Sequence, residues 1–169
     1  MPQTNREVFR NAMKARLYLE TTIVSYLVAR PSRDLVQAAD QQVTRDWWES
    51  QRQRYDIHVS EIVLNEAGTG DAEMAKQRLA LLKQFSVLAV EPEVSELADA
   101  LIHGGPLPAK AADDAAHIAY SAVHRMHFLL TWNCRHIANP SMARRIGQIC
   151  AEHGFDLPVI CTPAILLEK

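Results

Sequence analysis

LYLETTIVSYL, residues 17–27, joins a short β-prone run to an apolar pattern of helical spacing. The apolar run ends at Glu20, and Ile23 and Leu27 then recur four residues apart, which is the spacing of one helix face. This stretch predicts a strand, a turn and a helix in that order. Its one acidic residue lies at the turn, where the strand ends.

The same order of strand and helix continues along the chain. Further strands are predicted over residues 56–60, 87–90, 128–131 and 158–161. Helices are predicted over residues 35–54, 61–67, 71–83, 93–102, 108–125 and 141–153, with a last one starting at Thr162-Pro163. Such alternation favours a parallel sheet of about five strands with helices on both faces. The sequence therefore predicts an α/β fold forming one domain over residues 1–169, in which residues 1–15 could form a flexible extension.

Composition narrows the class of protein. A hydrophobic content of 48% in 169 residues can build one sizeable core. No apolar run approaches the roughly 20 residues that cross a bilayer, and no basic and apolar leader opens the chain. Three cysteines without a Cys-x-x-Cys pair indicate neither a disulfide framework nor a zinc site. We expect a soluble cytoplasmic protein, and the net charge of -2 argues against nonspecific coating of nucleic acid.

Three carboxylates fall where ligands gather in parallel sheets, beyond the carboxyl ends of the strands. Glu20 ends the first strand, Glu66 lies in the helix after the second, and Asp114 lies in the first turn of the helix before the fourth. Their mutual repulsion would be costly without a cation, and hard oxygen ligands suit Mg²⁺ or Mn²⁺. The three residues together predict a metal site at one rim of the sheet.

These carboxylates also have structural explanations. Glu20, like Glu61 and Asp113, could stabilise a helix amino terminus through the helix dipole, and Glu66 could be a solvated surface residue. Helical spacing separates two neighbours: Asp114 borders the apolar face of its helix, whereas Asp113 is predicted on the polar side with His117, Tyr120 and His124. Asp114 is therefore the better ligand candidate of the two.

At these residues the sequence resembles the PIN-domain family, in particular the VapC-type toxins. The resemblance is carried by four segments in the same order as in the family, namely residues 17–27, VSEIVLNE at 59–66, DAAHIA at 114–119 and LLTWN at 129–133. It covers residues 17–161 and implies a three-layer PIN-like fold with a central parallel sheet. Each segment is weakly specific by itself, and the four together are fairly specific.

The resemblance implies a set of site residues and a cofactor. Glu20, Glu66 and Asp114 correspond to the acidic site that holds Mg²⁺ or Mn²⁺, and Asn133 stands at the fourth position. Two residues depart from the family pattern, since Glu20 replaces the usual Asp and Asn133 replaces a frequent Asp. The nearby His136 and Cys134 could be read as replacement ligands, but such residues more often serve packing or surface roles.

The implied activity is that of a metal-dependent endoribonuclease, the toxin of a toxin-antitoxin pair, which hydrolyses phosphodiester bonds in RNA. Thr21, Thr22, Thr131 and Arg135 could contact the substrate, although capping and strand propensity explain the threonines about equally well. The implied partners are an antitoxin protein and a second copy of the chain. The apolar stripe of residues 35–54, with its two adjacent tryptophans, could serve either contact or pack into the core.

The main alternative is a PIN fold that has lost activity through the departures at Glu20 and Asn133 and binds RNA or protein instead. A Rossmann domain is poorly supported, because no Gly-x-Gly-x-x-Gly follows a strand. A serine hydrolase is also unsupported, because Gly-x-Ser-x-Gly is absent.

Overall fold

The computed structural model describes residues 14–167, and its centre is one parallel sheet of five strands in the order β3-β2-β1-β4-β5. The strands are β1 (Ala15–Leu19), β2 (Tyr55–Val59), β3 (Ser86–Val87), β4 (Phe128–Leu130) and β5 (Val159–Cys161). The predicted α/β class with about five parallel strands is confirmed. The arrangement agrees with the three-layer fold that the resemblance implies.

Eight α-helices among the described residues connect and flank these strands. They are α1 (Thr21–Val28), α2 (Leu35–Ser50), α3 (Glu61–Ala67), α4 (Ala72–Leu82), α5 (Pro92–Ile102), α6 (Ala112–Val123), α7 (Pro140–Glu152) and α8 (Pro163–Leu166). Two short 3₁₀ turns, Arg52–Arg54 and Ala109–Ala111, precede β2 and α6. None of the helices in residues 14–167 has both the length and the apolar character needed to span a membrane.

The strand order places a change of direction between β1 and β4. The chain moves outward from β1 to β2 and β3, then returns across the sheet to β4 and continues to β5. Crossovers between parallel strands follow a right-handed rule, which would place the helices of these two halves on opposite faces, and the contacts of α5 with α6 and α7 agree with this division. The crevice at such a switch point, beyond the carboxyl ends of β1 and β4, is where open α/β sheets bind ligands.

The core surrounds the central strand β1, whose Leu17, Tyr18 and Leu19 are completely buried. A strand with neighbours on both sides and helices on both faces has little contact with solvent, which explains the apolar run at the end of β1. Trp47 and Trp48 of α2 also lie in this core, at 0% and 8% exposure. The apolar stripe of α2 therefore packs internally at its tryptophans, and they offer no surface to a partner.

The predicted boundaries differ from the observed ones in identifiable ways. β3 has two residues instead of four, since it is an edge strand that pairs only with the end of β2. α2 ends at Ser50 instead of residue 54, because the backbone leaves helical geometry at Gln51. The helix predicted from residue 108 begins with a 3₁₀ turn. Residues 1–13 of the predicted extension lie outside the described part of the chain, and Ala15 already belongs to β1.

Candidate metal centre

Glu20 lies at the switch point, directly after β1, and caps the amino terminus of α1. Its carboxylate accepts hydrogen bonds from the backbone N–H of Thr22 at 3.2 Å, from the Thr22 hydroxyl, and from the Thr131 hydroxyl at 2.7 Å. The residue is only 4% exposed. These donors hold a charged group in a buried position and orient it. The dipole of α1 adds to this stabilisation, so the structural explanation and the ligand hypothesis both apply to Glu20.

Glu20 forms a compact group with Glu66 of α3 and His117 of α6. His117 Nε2 lies 3.0 Å from Glu66 Oε1 and 3.9 Å from Glu20 Oε1. One ligand atom from each of the three residues lies within 4.8 Å of the others, so the group could hold a metal ion. The structure thus brings together two of the three predicted carboxylates and adds a histidine to them.

The opposite edge of the His117 ring is held by the buried hydroxyl of Tyr18, which in turn contacts the buried hydroxyl of Ser60. Its Nδ1 lies 2.7 Å from the Tyr18 hydroxyl, which lies 2.7 Å from the Ser60 hydroxyl. Ser60 caps α3, as predicted from the sequence, and accepts from the backbone N–H of Val63. The chain of contacts therefore joins the central strand to both helices that carry the group.

The charges of this group stabilise one another. Burial raises the pKa of Glu66, but the hydrogen bond and the charge of His117 outweigh burial and lower that pKa overall. Burial lowers the pKa of His117, but the hydrogen bond to Glu66 and the charges of Glu20, Glu66 and Asp114 outweigh it and raise that pKa. A raised pKa favours the protonated form of His117, whose positive charge offsets the carboxylates.

Asp114, the third predicted carboxylate, lies beside this group and has partners of its own. Its Oδ1 accepts from Asn133 Nδ2 at 2.8 Å, and its Oδ2 lies 2.7 Å from His136 Nδ1. The Asn133 amide oxygen in turn accepts from the backbone N–H of His136 at 3.0 Å. An amide at residue 133 thus pairs with Asp114, where a carboxylate would repel it. The metal-ligand role of Asp114 stays a prediction, because the three residues whose ligand atoms lie within 4.8 Å of one another do not include it.

The predicted substrate-contacting residues lie around the same rim. The Thr22 hydroxyl accepts from the backbone N–H of Trp132 at 2.9 Å, and the Thr131 hydroxyl accepts from that of Asn133 at the same distance. Both hydroxyl groups therefore position the loop after β4 as well as Glu20. Arg135 is exposed on that loop. Contact of these residues with a substrate stays a prediction.

Thr21 differs from the other two threonines because its hydroxyl is buried without a hydrogen bond of normal geometry. The residue is 7% exposed, and its hydroxyl lies close enough to Glu66 to help lower the pKa of that carboxylate. A buried polar atom without a full partner, next to two carboxylates and an imidazole, fits a site that accepts a further ligand. The donor set is one that binds divalent cations.

His117 is the residue that the sequence analysis placed incorrectly. It was expected on the polar side of α6, yet it is 1% exposed, and Tyr120 of the same side is 4% exposed. The helix is buried on most of its circumference, so its polar side faces protein groups instead of solvent. The sequence held one signal for its position: His117 follows Asp114 by three residues, and residues at this spacing share a helix face.

Comparison with protein-family models finds no match, and comparison with curated proteins finds no significant match.

Proposed function

We propose that this protein is a metal-dependent endoribonuclease of the PIN type that hydrolyses phosphodiester bonds in RNA. The observation that carries the proposal is the group of Glu20, Glu66 and His117 at the sheet's switch point, in which Glu20 and His117 are buried and Glu66 is partly exposed. The motifs at residues 17–27, 59–66, 114–119 and 129–133 converge there, and their resemblance to PIN domains supplies the reaction class.

The residues of the site have separate parts in this proposal. A divalent cation, Mg²⁺ or Mn²⁺, would supply a Lewis acid that activates water and offsets charge on the phosphoryl group. Glu20 and Glu66 would hold it, with Glu20 fixed by Thr22 and Thr131. Asp114 would join them by giving up one of its present partners.

The loop after β4 is the part of the site that can meet an anionic substrate. Arg135 is exposed there, two residues beyond Asn133. Guanidinium groups bind phosphate through paired hydrogen bonds, so this side chain is suited to a polynucleotide backbone. The small net charge of -2 fits a contact made locally instead of over a large basic surface.

Cleavage of a labelled RNA by the purified full-length protein tests the proposal, in Mg²⁺ or Mn²⁺ and with a chelator as a blank. Glu66→Gln keeps the shape of the side chain and removes its charge. Glu61→Gln is the matched control, since Glu61 is exposed at the start of the same helix. We expect cleavage to fall at least about 100-fold in Glu66→Gln and to change less than about twofold in Glu61→Gln.

A second pair of variants distinguishes the roles of two adjacent carboxylates on α6. Asp114→Asn removes the charge that faces His136, whereas Asp113→Asn alters an exposed side chain. Loss of cleavage in the first variant alone supports the predicted role of Asp114. Cleavage that survives the chelator, or that is equal in all four variants and the wild type, refutes the nuclease proposal. Binding of RNA or protein without cleavage would favour the alternative of an inactive PIN-fold binding module.

The toxin role, the antitoxin partner and the homodimer belong to the same proposal and are supported by the resemblance. Leu35 and Val36, adjacent at the start of α2, are 85% and 71% exposed, which suits a contact with another chain. Light scattering after size-exclusion chromatography tests the dimer. A monomer mass at micromolar concentration would contradict it.

A further inference from the structure

We propose that His117 is itself a metal ligand, through Nε2, and that the site therefore prefers a first-row transition ion such as Mn²⁺ or Co²⁺ to Mg²⁺. Tyr18 and Ser60 act as positioning residues for the imidazole. This inference shares its metal centre with the proposed function, but it concerns which ion binds and through which atoms. It does not depend on RNA cleavage.

The distances fit a shared first coordination sphere. Nε2 of His117 is 3.0 Å from Glu66 Oε1 and 3.9 Å from Glu20 Oε1. Ligands placed about 2.1 Å from one ion lie about 3 Å apart at a right angle and about 4 Å apart when they are nearly opposite. The three residues can therefore reach one ion with small adjustments of their side chains.

The ring of His117 is also oriented as metal-bound histidines usually are. Such a histidine presents one nitrogen to the ion and donates its other N–H to a protein group, which fixes the ring and the tautomer. Here Nδ1 lies 2.7 Å from the completely buried Tyr18 hydroxyl, so Nε2 is the nitrogen that faces the carboxylates.

The paired hydroxyl groups of Tyr18 and Ser60 suit both forms of the site. When His117 is protonated, Nε2–H donates to Glu66 and Nδ1–H donates to Tyr18, which donates to Ser60. Binding of an ion at Nε2 releases only the Nε2 proton to solvent. The hydrogen bonds from Nδ1–H to Tyr18 and from Tyr18 to Ser60 stay unchanged.

Two further observations agree with a cation at this site. Within residues 14–167, no lysine or arginine forms a salt bridge with Glu20 or Glu66. The Thr21 hydroxyl, 7% exposed, has no hydrogen bond of normal geometry and lies near Glu66. Two carboxylates and this hydroxyl therefore lie beside the imidazole.

The imidazole nitrogen decides the choice of ion. Mg²⁺ takes oxygen ligands almost exclusively and gives up its waters reluctantly, whereas imidazole suits later first-row ions. A site of two carboxylates and one imidazole should bind Co²⁺ more tightly than Mn²⁺ and Mn²⁺ more tightly than Mg²⁺. An all-carboxylate site would show a much smaller preference.

Pulsed electron paramagnetic resonance of the full-length protein loaded with Mn²⁺ tests the ligand directly, since it detects nitrogen bonded to the ion. We expect a coordinated imidazole nitrogen in the wild type and in His136→Gln, and its loss in His117→Gln. Calorimetric titration should show the ratio of Co²⁺ to Mg²⁺ affinity falling at least about tenfold in His117→Gln. If that variant does not fold, the wild type and His136→Gln still decide the question.

Absence of the nitrogen signal from the wild type overturns the inference. So does a signal that persists in His117→Gln or disappears in His136→Gln. These outcomes are distinct from those for cleavage: a protein that binds Mn²⁺ through His117 but leaves RNA intact would refute the proposed function and keep this inference. Cleavage of RNA by a protein whose ion has only oxygen ligands would support the proposed function and refute this inference.

Discussion

Replacement of Tyr18 by phenylalanine tests the network behind His117 with a change of one oxygen atom. The Tyr18 hydroxyl is buried and lies 2.7 Å from both His117 Nδ1 and Ser60 Oγ. The phenylalanine ring keeps the volume of the side chain and its edge contact with the imidazole, whose centroid lies 5.8 Å away. Any loss of stability therefore comes from the hydrogen bonds.

The size of that loss follows from what the two partners can do without the hydroxyl. Glu66 holds the other side of the ring at 3.0 Å, so His117 cannot turn to find a new partner and its Nδ1 is left unpaired. Ser60 loses one contact and keeps its weaker one with Val63 N–H at 3.5 Å. A buried polar group without a partner costs about 1–3 kcal/mol, so we expect Tyr18→Phe to lower the free energy of unfolding by about 2–3 kcal/mol.

Urea unfolding of the metal-free protein in a chelator measures this difference. With a slope of about 2 kcal/mol per molar urea, the midpoint should fall by about 1–1.5 M with no change in slope. Tyr26→Phe is the matched control, because within residues 14–167 the Tyr26 hydroxyl has no hydrogen bond and its ring stacks on Trp132. A loss below about 0.5 kcal/mol in Tyr18→Phe, or an equal loss in both variants, refutes the reasoning.

Three other predictions concern the same centre. Because folding raises the pKa of His117, its contribution to stability is complete below the unfolded pKa and is lost as pH rises through the folded pKa. Because folding lowers the pKa of Glu66, its contribution is complete above the unfolded pKa and is lost as pH falls through the folded pKa. Urea unfolding without metal should therefore show greatest stability between about pH 4.5 and 6.5, with the alkaline decline reduced in His117→Gln, and an unchanged decline there would contradict the charge assignment. Thr131→Val removes the 2.7 Å donor to Glu20 and should weaken Mn²⁺ binding about tenfold by calorimetry, and unchanged affinity would exclude this positioning role. Asn133→Asp places a second carboxylate beside Asp114 and should lower the free energy of unfolding of the metal-free protein by about 1–3 kcal/mol in thermal or urea unfolding. Mn²⁺ should restore part of this loss. Equal stability of the variant and the wild type would show that the amide contact is unimportant.

The amino-acid pattern alone was enough for the class of fold and for two of the three residues that could hold a metal ion. Strands and helices leave local signals, namely apolar spacing and capping residues such as Ser60, which depend on residues a few positions apart. The position of Glu20 at a strand end was predicted in the same way. The short edge strand β3 and the helix ends were less accurate, since their limits depend on pairing with distant segments.

Tertiary structure decided which residues form the group that could hold a metal ion, namely Glu20, Glu66 and His117. The sequence predicted three carboxylates, but the structure joins Glu20 and Glu66 to His117 and pairs Asp114 with Asn133 and His136. No local pattern distinguishes a histidine that faces solvent from one that faces another helix, because α6 becomes buried on its polar side only when β1 and α3 pack nearby. The sequence by itself determined that acidic residues follow the strands. Which nitrogen and oxygen atoms share one buried position was decided only by the packing of segments that lie 46 to 97 residues apart, because hydrogen bonds and charges depend on distances in space.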